Sequence, residues 1–576
     1  MRKLLKYLSE YKRESIMGPL FKLLEASFEL LVPLVMARVI DIGIKNHDLS
    51  YILSMGGILV FLGAIGLVCS ITAQYFAAKA AAGFGTSIRN DLFAHINSLS
   101  YQEIDTIGTA TLITRMTSDV NQVQSGVNLF LRLFLRSPFI VFGAMIMAFT
   151  IDVKAALIFA VSIPVLSVVV FGIMIFSMPL YKKVQKQLDR VLLTARENLG
   201  GVRVIRAFNR QNDEVRRFDD ENGTLVRFQV FVGKISALMN PLTYVIINLA
   251  IIILINTGAN RVEVGIITQG QVVALVNYMS QILVELVKLA NLIITISKAL
   301  ACANRISSVF SIEPGIKQTN QNEVKEETDV PKLEFDQVSL FYQGAKAESL
   351  AGIGFQVMKG ETIGIIGGTG SGKTTLVNLI PRFYDVSQGS VKVGGINVKD
   401  YPLSQLRKLV GIVPQRAVLF KGSIRENMQW GKREASDEEI YRALRIAQAK
   451  EIVDEKGEGL DFIIEAGGKN LSGGQRQRLT IARAIVKDPQ ILILDDSASA
   501  LDFATDARLR KAIKEETKDM TVFLVSQRAS TIRNADRIVV LDDGQMAGCG
   551  KHGELIESCE VYREICLSQL SEKEVQ

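Results

Sequence analysis

The chain has 576 residues, of which 48% are hydrophobic, and its formal net charge is +7. This length exceeds one ordinary domain and predicts roughly two to four folded units. The basic residues lie mainly between apolar runs and are not interleaved with aromatic residues, so the charge does not indicate a nucleic-acid partner. The five cysteines are scattered without metal-ligand spacing, which favours reduced thiols over a disulfide framework.

The N-terminus is amphipathic. Leu4, Leu5, Leu8 and Tyr11 fall on one helical face, and basic residues occupy the other positions. This pattern predicts a short helix lying along the cytoplasmic membrane surface. No small-residue cleavage site follows the first residues, so we predict no cleavable signal peptide.

Six apolar segments follow, each near the ~20 residues that a helix needs to cross a bilayer. They are Met17–Val39, Tyr51–Ala77, Leu129–Phe149, Ala155–Phe176, Ile235–Ile255 and Thr268–Ile296. The links after the second and fourth segments are long and basic. The positive-inside rule therefore predicts a multi-pass plasma-membrane domain over residues 1–310, with these loops and the C-terminal half in the cytoplasm. Around Lys183–Phe228, a three-to-four-residue periodicity predicts that the loop is helical.

Two of these segments carry charged or polar residues at helical spacing: Lys22, Glu25 and Glu29 in the first, and Gln281, Glu285 and Lys288 in the last. Charge inside a span is costly and usually faces a partner or a water-filled cavity. One interpretation pairs these charges within each helix. The other places Glu29 and Glu285 on a substrate cavity that favours cationic or amphipathic cargo. Glu29 is the stronger candidate, because it has no opposite charge one turn further on.

The polar stretch Glu313–Asp329 lacks apolar periodicity and contains a Pro-Gly pair, so we predict a linker over residues 311–330. Residues 331–576 then have the pattern of a soluble α/β domain. Leu333–Tyr342 alternates as a strand does, and Thr362–Ile366 is fully apolar, as in a buried parallel sheet.

The sequence GGTGSGKT, from Gly367 to Thr374, matches the phosphate-loop pattern G-x-x-x-x-G-K-[ST]. Its glycines allow backbone N–H groups to approach phosphate oxygens, and the following helix adds a positive dipole. Lys373 would neutralise the β- and γ-phosphates, and the Thr374 hydroxyl would bind Mg²⁺. The predicted nucleotide-binding residues here are Gly367, Gly368, Thr369, Gly370, Ser371, Gly372, Lys373, Thr374 and Thr375. By itself, the loop predicts a nucleotide-binding site and nothing more specific.

Two later motifs narrow this prediction. LSGGQ, from Leu471 to Gln475, precedes a basic helix, and the apolar strand Ile491–Asp495 ends on two aspartates, Asp495 and Asp496. With the phosphate loop in this order, they resemble the ATP-binding cassette (ABC) family, and the resemblance covers essentially the whole chain. It implies an exporter-type bundle of six transmembrane helices fused to an α/β phosphate-loop nucleotide-binding domain, with ATP and Mg²⁺ as ligands.

The resemblance also implies roles for single residues. Tyr342 would stack on adenine, although a buried sheet aromatic is the plain alternative. Gln415, in the sequence GIVPQ, would reach the Mg²⁺ and the attacking water, and Asp495 would bind the Mg²⁺. The signature residues would face the ATP held by a partner subunit: Ser472, Gly473, Gly474 and Gln475. A chain with six spans and one such domain is then half of a transporter and must pair.

Two further stretches resemble the coupling-helix regions that transmit nucleotide-domain motion to the spans: Gly108–Val120 and Val202–Gln211. The alternative for each is a solvated loop helix.

The sequence departs from the family pattern at two positions. Asp496 stands where a glutamate normally polarises the attacking water, and Gln527 stands where a histidine normally contacts the γ-phosphate. Both changes affect the hydrolytic step, which predicts an ABC-type ATPase whose own site is slow. This pattern is similar to bacterial heterodimeric multidrug exporters, in the subunit with the degenerate site. We expect ATP-driven export of amphipathic small molecules. We also expect the spans to contact membrane lipid. A lipid or peptide exporter and an ATP-gated regulatory or channel subunit stay open as alternatives.

Overall fold

The computed structural model describes residues 2–316, 324–327, 329–342, 344–517 and 519–569. The chain forms two compact units. The first comprises Met1–Asn97 and Ala110–Ile312, and the second comprises Ser98–Thr109 and Glu313–Gln576. Ser98–Thr109 thus belongs to the second unit, although both of its neighbours in sequence belong to the first. Part of the predicted linker lies outside the described residues.

The chain is helical up to residue 310. In chain order the α-helices are α1 (Arg2–Leu8), α2 (Lys12–Arg38), α3 (Leu49–Ser98), α4 (Tyr101–Ile107), α5 (Thr109–Thr114), α6 (Val120–Leu133), α7 (Arg136–Ile151), α8 (Val153–Gly200), α9 (Val202–Ala207), α10 (Gln211–Ala237), α11 (Met239–Glu263) and α12 (Gln269–Phe310). Single π-helical stretches, Val39–Ile44 and Arg115–Asp119, follow α2 and α5. The predicted helical loop around Lys183–Phe228 is therefore present as the end of α8, α9 and most of α10.

Among the described residues, five helical stretches are long and apolar enough to cross a membrane: Leu49–Ser98, Thr109–Ile151, Val153–Gly200, Gln211–Glu263 and Gln269–Phe310. The first predicted span lies in α2, which has 27 residues but carries three charged side chains in its middle. With 50 and 48 residues, α3 and α8 are each about 70 Å long, against ~30 Å for a hydrocarbon core. They therefore extend well beyond a bilayer.

Small residues line the contacts inside the first unit. Ala26, Ala144 and Ala155 are fully buried there, together with Phe159 and Tyr278. The Tyr278 hydroxyl donates to the backbone oxygen of Leu30, at 2.6 Å. Small side chains let helix backbones approach closely where lipid gives no hydrophobic driving force. Outward-facing apolar side chains remain exposed, as expected of a surface covered by lipid.

The second unit contains two main sheets. Its strands are β1 (Leu333–Leu340), β2 (Leu350–Val357), β3 (Thr362–Gly367), β4 (Gln388–Val393), β5 (Ile396–Asn397), β6 (Val410–Val413), β7 (Gly422–Ser423), β8 (Ile463–Ile464), β9 (Ile491–Asp495), β10 (Thr521–Val525), β11 (Arg537–Asp542) and β12 (Gln545–Gly550). The larger sheet has the order β12-β11-β3-β10-β9-β6, and only β12 pairs antiparallel in it. The smaller sheet, β2-β1-β4-β5, is antiparallel.

Helices cover the larger sheet and its ends. They are α13 (Lys373–Asn378), α14 (Leu403–Leu409), α15 (Ile424–Gln429), α16 (Asp437–Ile446), α17 (Lys450–Asp454), α18 (Gly473–Val486), α19 (Phe503–Glu516), α20 (Ala529–Ile532), α21 (His552–Ser558) and α22 (Glu560–Gln569). The central strands β3 and β9 are buried along almost their whole length, which accounts for their unbroken apolar sequences.

A short helix of the second unit lies next to the first predicted coupling region. This helix, α4 (Tyr101–Ile107), is just upstream of the predicted stretch Gly108–Val120. Gly108 ends α4 with a φ of +80°, a left-handed conformation that suits glycine, and Thr109 begins the next long helix. In the second predicted region, α9 is a short, exposed helix between α8 and α10.

Candidate functional site

The predicted nucleotide-binding residues converge at one edge of the larger sheet. Strands β3, β10 and β9 are parallel neighbours, so their carboxyl ends meet there. The glycine loop follows β3, Asp495 ends β9, and the residues up to Gln527 follow β10. A cavity of about 670 Å³ opens at this edge. Its lining includes Tyr342, Thr369, Gly370, Ser371, Gly372, Lys373, Thr374, Thr375, Gln415, Asp495, Asp496 and Gln527.

The glycine loop has a conformation that side chains would prevent. Gly370 and Gly372 have φ values of +87° and +90°. A Cβ on Gly372 would lie 2.7 Å from the backbone oxygen of Ser349, and one on Gly367 would lie 2.0 Å from that of Leu541. The loop therefore needs glycine at these positions, and its backbone stays open toward the cavity.

Lys373 is held against this loop. Its Nζ donates to the backbone oxygens of Gly367, at 2.9 Å, and Gly368, at 2.6 Å. Among the described residues, no carboxylate lies within ion-pair distance of this ammonium. Burial lowers the pKa of Lys373, and the more distant charges of Asp496 and Asp495 oppose that decrease. The ammonium is therefore a cation that lacks a close anion.

Thr374 and Asp495 form a ready pair of oxygen ligands. The Thr374 hydroxyl lies 3.1 Å and 2.9 Å from the two carboxylate oxygens of Asp495, whose side chain is buried. Burial raises the pKa of Asp495; the bond from Thr374 opposes the rise, and the charge of Asp496 adds to it. A hydroxyl beside a carboxylate is a donor set that suits Mg²⁺, so both residues fit the predicted metal role.

Asp496, Gln415 and Gln527 face the same cavity but are held more loosely. Asp496 has a φ of +45°, in the left-handed region, and its backbone N–H donates to the oxygen of Val525 at 2.9 Å. Its Oδ2 accepts from Nε2 of Gln415 at 3.3 Å, a long hydrogen bond. The backbone oxygen of Gln527 accepts from Nε2 of Gln569 on α22, at 2.8 Å. The structure thus brings all three predicted catalytic residues to one place.

Tyr342 lies at the cavity wall. Its hydroxyl donates to Oγ1 of Thr375 at 3.1 Å, and its ring meets that of Tyr384 edge-on, with centroids 5.2 Å apart. The side chain is partly buried against the smaller sheet. It therefore combines a packed position with access to the cavity.

The signature residues form a separate feature. Ser472 is the N-cap of α18: its hydroxyl accepts from the Gln475 backbone N–H at 3.2 Å, and its own N–H donates to Oε1 of Gln475 at 2.9 Å. This capping box fixes the start of a 14-residue helix. Ser472 and Gly473 are exposed, and none of residues 471–475 is among the described residues that line the cavity.

Sequence reasoning missed part of the cavity. The loop between β1 and β2 contributes Lys346, Glu348 and Ser349, and the turn between β11 and β12 contributes Asp543 and Gly544. The Asp-Asp-Gly sequence at 542–544 was a turn signal, but only sheet order places that turn beside the glycine loop.

A charged cluster in the first unit was also incompletely predicted. Arg136 at the start of α7 donates to Glu29 at 2.6 Å and to Glu285 at 2.7 Å, and it is only 7% exposed. Glu285 also accepts from Ser137 at 2.8 Å and from Lys288 at 2.8 Å. Glu29 has no opposite charge one turn further on in its own helix, as expected from the sequence, but it has a partner in α7.

The pairs within each helix also form. Lys22 contacts Glu25 in α2, and Lys288 contacts Glu285 in α12. Glu285 is 2% exposed, so it does not present a free carboxylate to a cavity.

Comparison with known proteins shows the family. A model of the ABC transporter transmembrane region matches residues 15–286, and a model described as ABC transporter matches residues 350–499. The chain is 35% identical over 573 residues to the Uncharacterized ABC transporter ATP-binding protein YfiB of Bacillus subtilis (strain 168), covering 99% of this chain and 98% of that protein. The chain belongs to the ABC transporter family. It is therefore an ATP-binding membrane transport protein.

Two other relatives have names that state a function. The chain is 31% identical over 576 residues to an ATP-dependent lipid A-core flippase of Chromobacterium violaceum, covering 99% of this chain and 97% of that protein. It is 32% identical over 580 residues to a Putative multidrug export ATP-binding/permease protein, YgaD of Bacillus subtilis (strain 168), covering 98% of each.

The fold agrees with a solved ABC exporter. The structure of a bacterial Atm1-family ABC exporter with ATP bound superposes with a TM-score of 0.78, 23% identity, and coverage of 97% of this chain and 99% of that one. The predicted fold class, a membrane helical bundle fused to an ABC nucleotide-binding domain, is confirmed.

Proposed function

We propose that this chain is one half of a heterodimeric ABC exporter in a bacterial plasma membrane, with its nucleotide-binding domain in the cytoplasm. Its own ATP site holds ATP and hydrolyses it slowly, and its LSGGQ motif completes the fast site of a partner half-transporter. The observation that carries this proposal is the pair Asp496 and Gln527, which face an otherwise intact phosphate-binding cavity.

Binding of ATP follows from the cavity lining. The open backbone of the glycine loop would donate to phosphate oxygens, and Lys373 would exchange two carbonyl partners for the β- and γ-phosphates. That exchange supplies the anion that the partly buried ammonium lacks. Tyr342 lies on the wall of the same cavity, where its ring would stack on adenine.

Thr374, Asp495 and Gln415 would hold Mg²⁺ at this site. A bound Mg²⁺ neutralises negative charge on phosphate oxygens and so supports phosphoryl transfer. The chain's own contribution is to keep the Thr374 hydroxyl and the Asp495 carboxylate within 3.1 Å of each other before any ligand arrives. Preorganised ligands of this kind cost little rearrangement on binding.

The hydrolytic step is where this site is weak. Relative to glutamate, Asp496 withdraws its carboxylate by roughly 1 Å, and a displacement of that size costs about 10²-fold in rate. Among the described residues, the carboxylate is oriented by one long hydrogen bond, which it accepts from Gln415. Gln527 donates hydrogen bonds but carries no positive charge toward a γ-phosphate.

The signature motif is the chain's contribution to the other site. Ser472 and the N-terminal amides of α18 are exposed and already ordered by their capping box, so they are available to an anion from outside the chain. ATP held by a partner half-transporter would fill this role, and the two nucleotide-binding domains would enclose ATP between them.

For cargo, we propose amphipathic small molecules such as drugs, taken up from the lipid phase. The likeness to the YgaD protein supports this class, and the likeness to the lipid A-core flippase supports a lipid as the second candidate. Glu285 is paired with Arg136 and Lys288, so its charge gives no basis for expecting a preference for cationic cargo. A peptide cargo or an ATP-gated channel has no specific observation in its favour.

The test is Mg²⁺-dependent ATP hydrolysis by the purified full-length chain, alone and with a half-transporter encoded beside it. We expect slow turnover alone, with ATP still bound, and fast turnover in the pair. The double substitution Asp496→Glu with Gln527→His should raise turnover of the chain alone by about 10²-fold. Fast turnover by the unaltered chain alone, abolished by Asp496→Asn, would contradict the degenerate site. Vesicle uptake against single-channel recording separates a transporter from a channel.

A further inference from the structure

The short helix α4 packs on the second unit through aromatic side chains. Tyr101 at its start meets Phe383, with ring centroids 4.5 Å apart, and approaches Tyr384, with centroids 6.4 Å apart. One turn along α4, Asp105 accepts a hydrogen bond from the Tyr384 hydroxyl at 2.8 Å. α4 is therefore fixed to the second unit at two points, through two consecutive residues.

These two residues are themselves held firmly. Arg382 precedes them in a left-handed conformation, with φ at +52°, and donates to both carboxylate oxygens of Asp385, which follows them. The guanidinium of Arg407 lies over the Phe383 ring, 5.5 Å from its centroid. The backbone around Phe383 and Tyr384 is therefore held on both sides by the Arg382–Asp385 contact.

The other side of Tyr384 reaches the nucleotide cavity. Its ring edge meets the ring of Tyr342 at an interplanar angle of 89°, with centroids 5.2 Å apart. Tyr342 is in turn bonded through its hydroxyl to Thr375 at the end of the glycine loop. Tyr384 does not line the cavity itself, so it contacts a lining residue on one side and α4 on the other.

We propose that Tyr384 is a positioning residue that links nucleotide occupancy at Tyr342 to α4, by way of the bond to Asp105. The inference deepens the proposed function and depends on Tyr342 meeting the base of ATP. A base stacked on Tyr342 fixes the position of its ring, and edge-to-face packing makes the Tyr384 ring shift with it. The Tyr384 hydroxyl lies on the long axis of its ring and donates to Asp105, so a change in the tilt of that axis moves α4 or breaks the hydrogen bond.

Sequence continuity gives this link its importance. α4 is preceded by α3 and followed by the helical stretch Thr109–Ile151, and all but one residue of each belongs to the first unit. A signal that arrives at Asp105 thus reaches two long helical stretches within a few residues on either side. Burial and the bond to Asp105 also raise the pKa of Tyr384, so the phenol keeps the proton that it donates.

The test is hydrogen–deuterium exchange of the full-length chain in lipid nanodiscs, with and without MgATP, read at residues 101–107. In the unaltered chain we expect MgATP to change exchange there. Tyr384→Phe and Asp105→Ala should each abolish most of that change, with ATP affinity kept within about twofold. Asp105→Asn retains an acceptor oxygen and should keep most of the response, which a merely structural role for the helix face would not predict.

A matched control comes from Tyr401, a buried tyrosine of the same unit whose hydroxyl donates to the backbone oxygen of Val393 at 2.9 Å. Tyr401→Phe removes a hydroxyl of the same kind and should leave the response at 101–107 unchanged. The inference is overturned if Tyr384→Phe keeps the full response, or if ATP binds without any response in the unaltered chain. Absence of ATP binding in the unaltered chain would instead overturn the proposed function.

Discussion

The membrane unit and the nucleotide cavity both hold charged side chains that are buried or partly buried, but only the membrane unit pairs them with opposite charges. In the membrane unit, Arg136 contacts Glu29 and Glu285 directly, and Arg261 contacts Asp152. In the cavity, among the residues that the structure describes, the Lys373 ammonium donates only to uncharged oxygens, and the Asp495 carboxylate accepts only from a hydroxyl.

The two regions differ because the opposite charge comes from the protein in the membrane unit and from a ligand in the proposed nucleotide site. A buried ion is costly unless it is paired, so a cluster that must exist without ligand pairs its own charges. Lys373 and Asp495 lie in a cavity whose proposed occupants are a polyanion and a metal cation, which supply the missing charges. An unpaired buried charge beside an open cavity therefore points to a ligand, and a paired one points to packing.

Breaking the pairing in the membrane unit should have the largest effect. Arg136→Met leaves the 2%-exposed Glu285 without its cross-helix cation and should destabilise the chain by about 3–5 kcal/mol. Thermal unfolding in detergent measures the loss. Adding Glu285→Gln to Arg136→Met should restore part of the stability, because it removes the unpaired charge. No restoration would show that the arginine acts through packing alone.

Removing the charge of Lys373, which we expect to contact ATP, should affect ATP binding rather than folding. Lys373→Ala should weaken ATP binding by about 10²-fold or more, because it removes the cation that contacts the glycine loop. The melting temperature without ATP should stay the same or rise, because a partly buried charge without an ion partner is lost. Titration with a fluorescent ATP analogue and thermal unfolding without nucleotide give the two readouts. A large drop in stability without ATP would show that Lys373 stabilises the fold, and it would contradict the claim that its charge serves a ligand.

The two glutamates of the membrane cluster should differ in their effects. Glu285→Gln should cost about 2 kcal/mol, because it weakens charge-assisted bonds to a buried arginine, a serine and a lysine. Glu29→Gln should cost less than about 1 kcal/mol, because 40% of its side chain is exposed and solvent screens the pair.

Neither substitution should change the relative resistance that the transporter gives to cationic and neutral compounds, because both carboxylates are already neutralised. A selective loss for cationic compounds would restore the cavity interpretation of these two glutamates.

The smallest expected effect is a change in the pH dependence of Mg²⁺-dependent ATP binding, set by Asp495. Asp495 must lose its proton to bind Mg²⁺, and burial raises the pKa of Asp495, so Mg²⁺-dependent ATP binding should fail at a higher pH than an ordinary aspartate would dictate. Asp496→Asn removes a nearby negative charge, which lowers the pKa of Asp495 and moves this acid limit to lower pH. ATP titrations at a series of pH values measure it, and an upward move would contradict the assignment.

The nucleotide half was largely predictable because its chemistry is local. The glycine loop, the signature and the Asp495 strand are short motifs in which neighbouring residues share one task. The departures at Asp496 and Gln527 were visible for the same reason. Sheet order then accounts for their meeting, since parallel neighbours end at the same edge.

The membrane half was predictable only at the level of helices. Apolar length indicated the spans, but the partner of Glu29 lies 107 residues away and that of Glu285 lies 149 residues away. Arg136 was overlooked in the sequence, although Arg132 stands one helical turn before it in the same predicted span. Similarly, nothing in the sequence of α4 shows that Tyr101 contacts Phe383 or that Asp105 accepts a hydrogen bond from Tyr384.

The sequence by itself thus determined the family, the class of ligand and the residues that depart from the family pattern, because these are set by side-chain chemistry at fixed local spacing. Only the tertiary structure decided which charges neutralise one another, that α4 belongs with the nucleotide unit, and that Tyr384 stands between Tyr342 and Asp105. Those facts depend on contacts between residues far apart in the chain, and packing rather than local pattern selects such contacts.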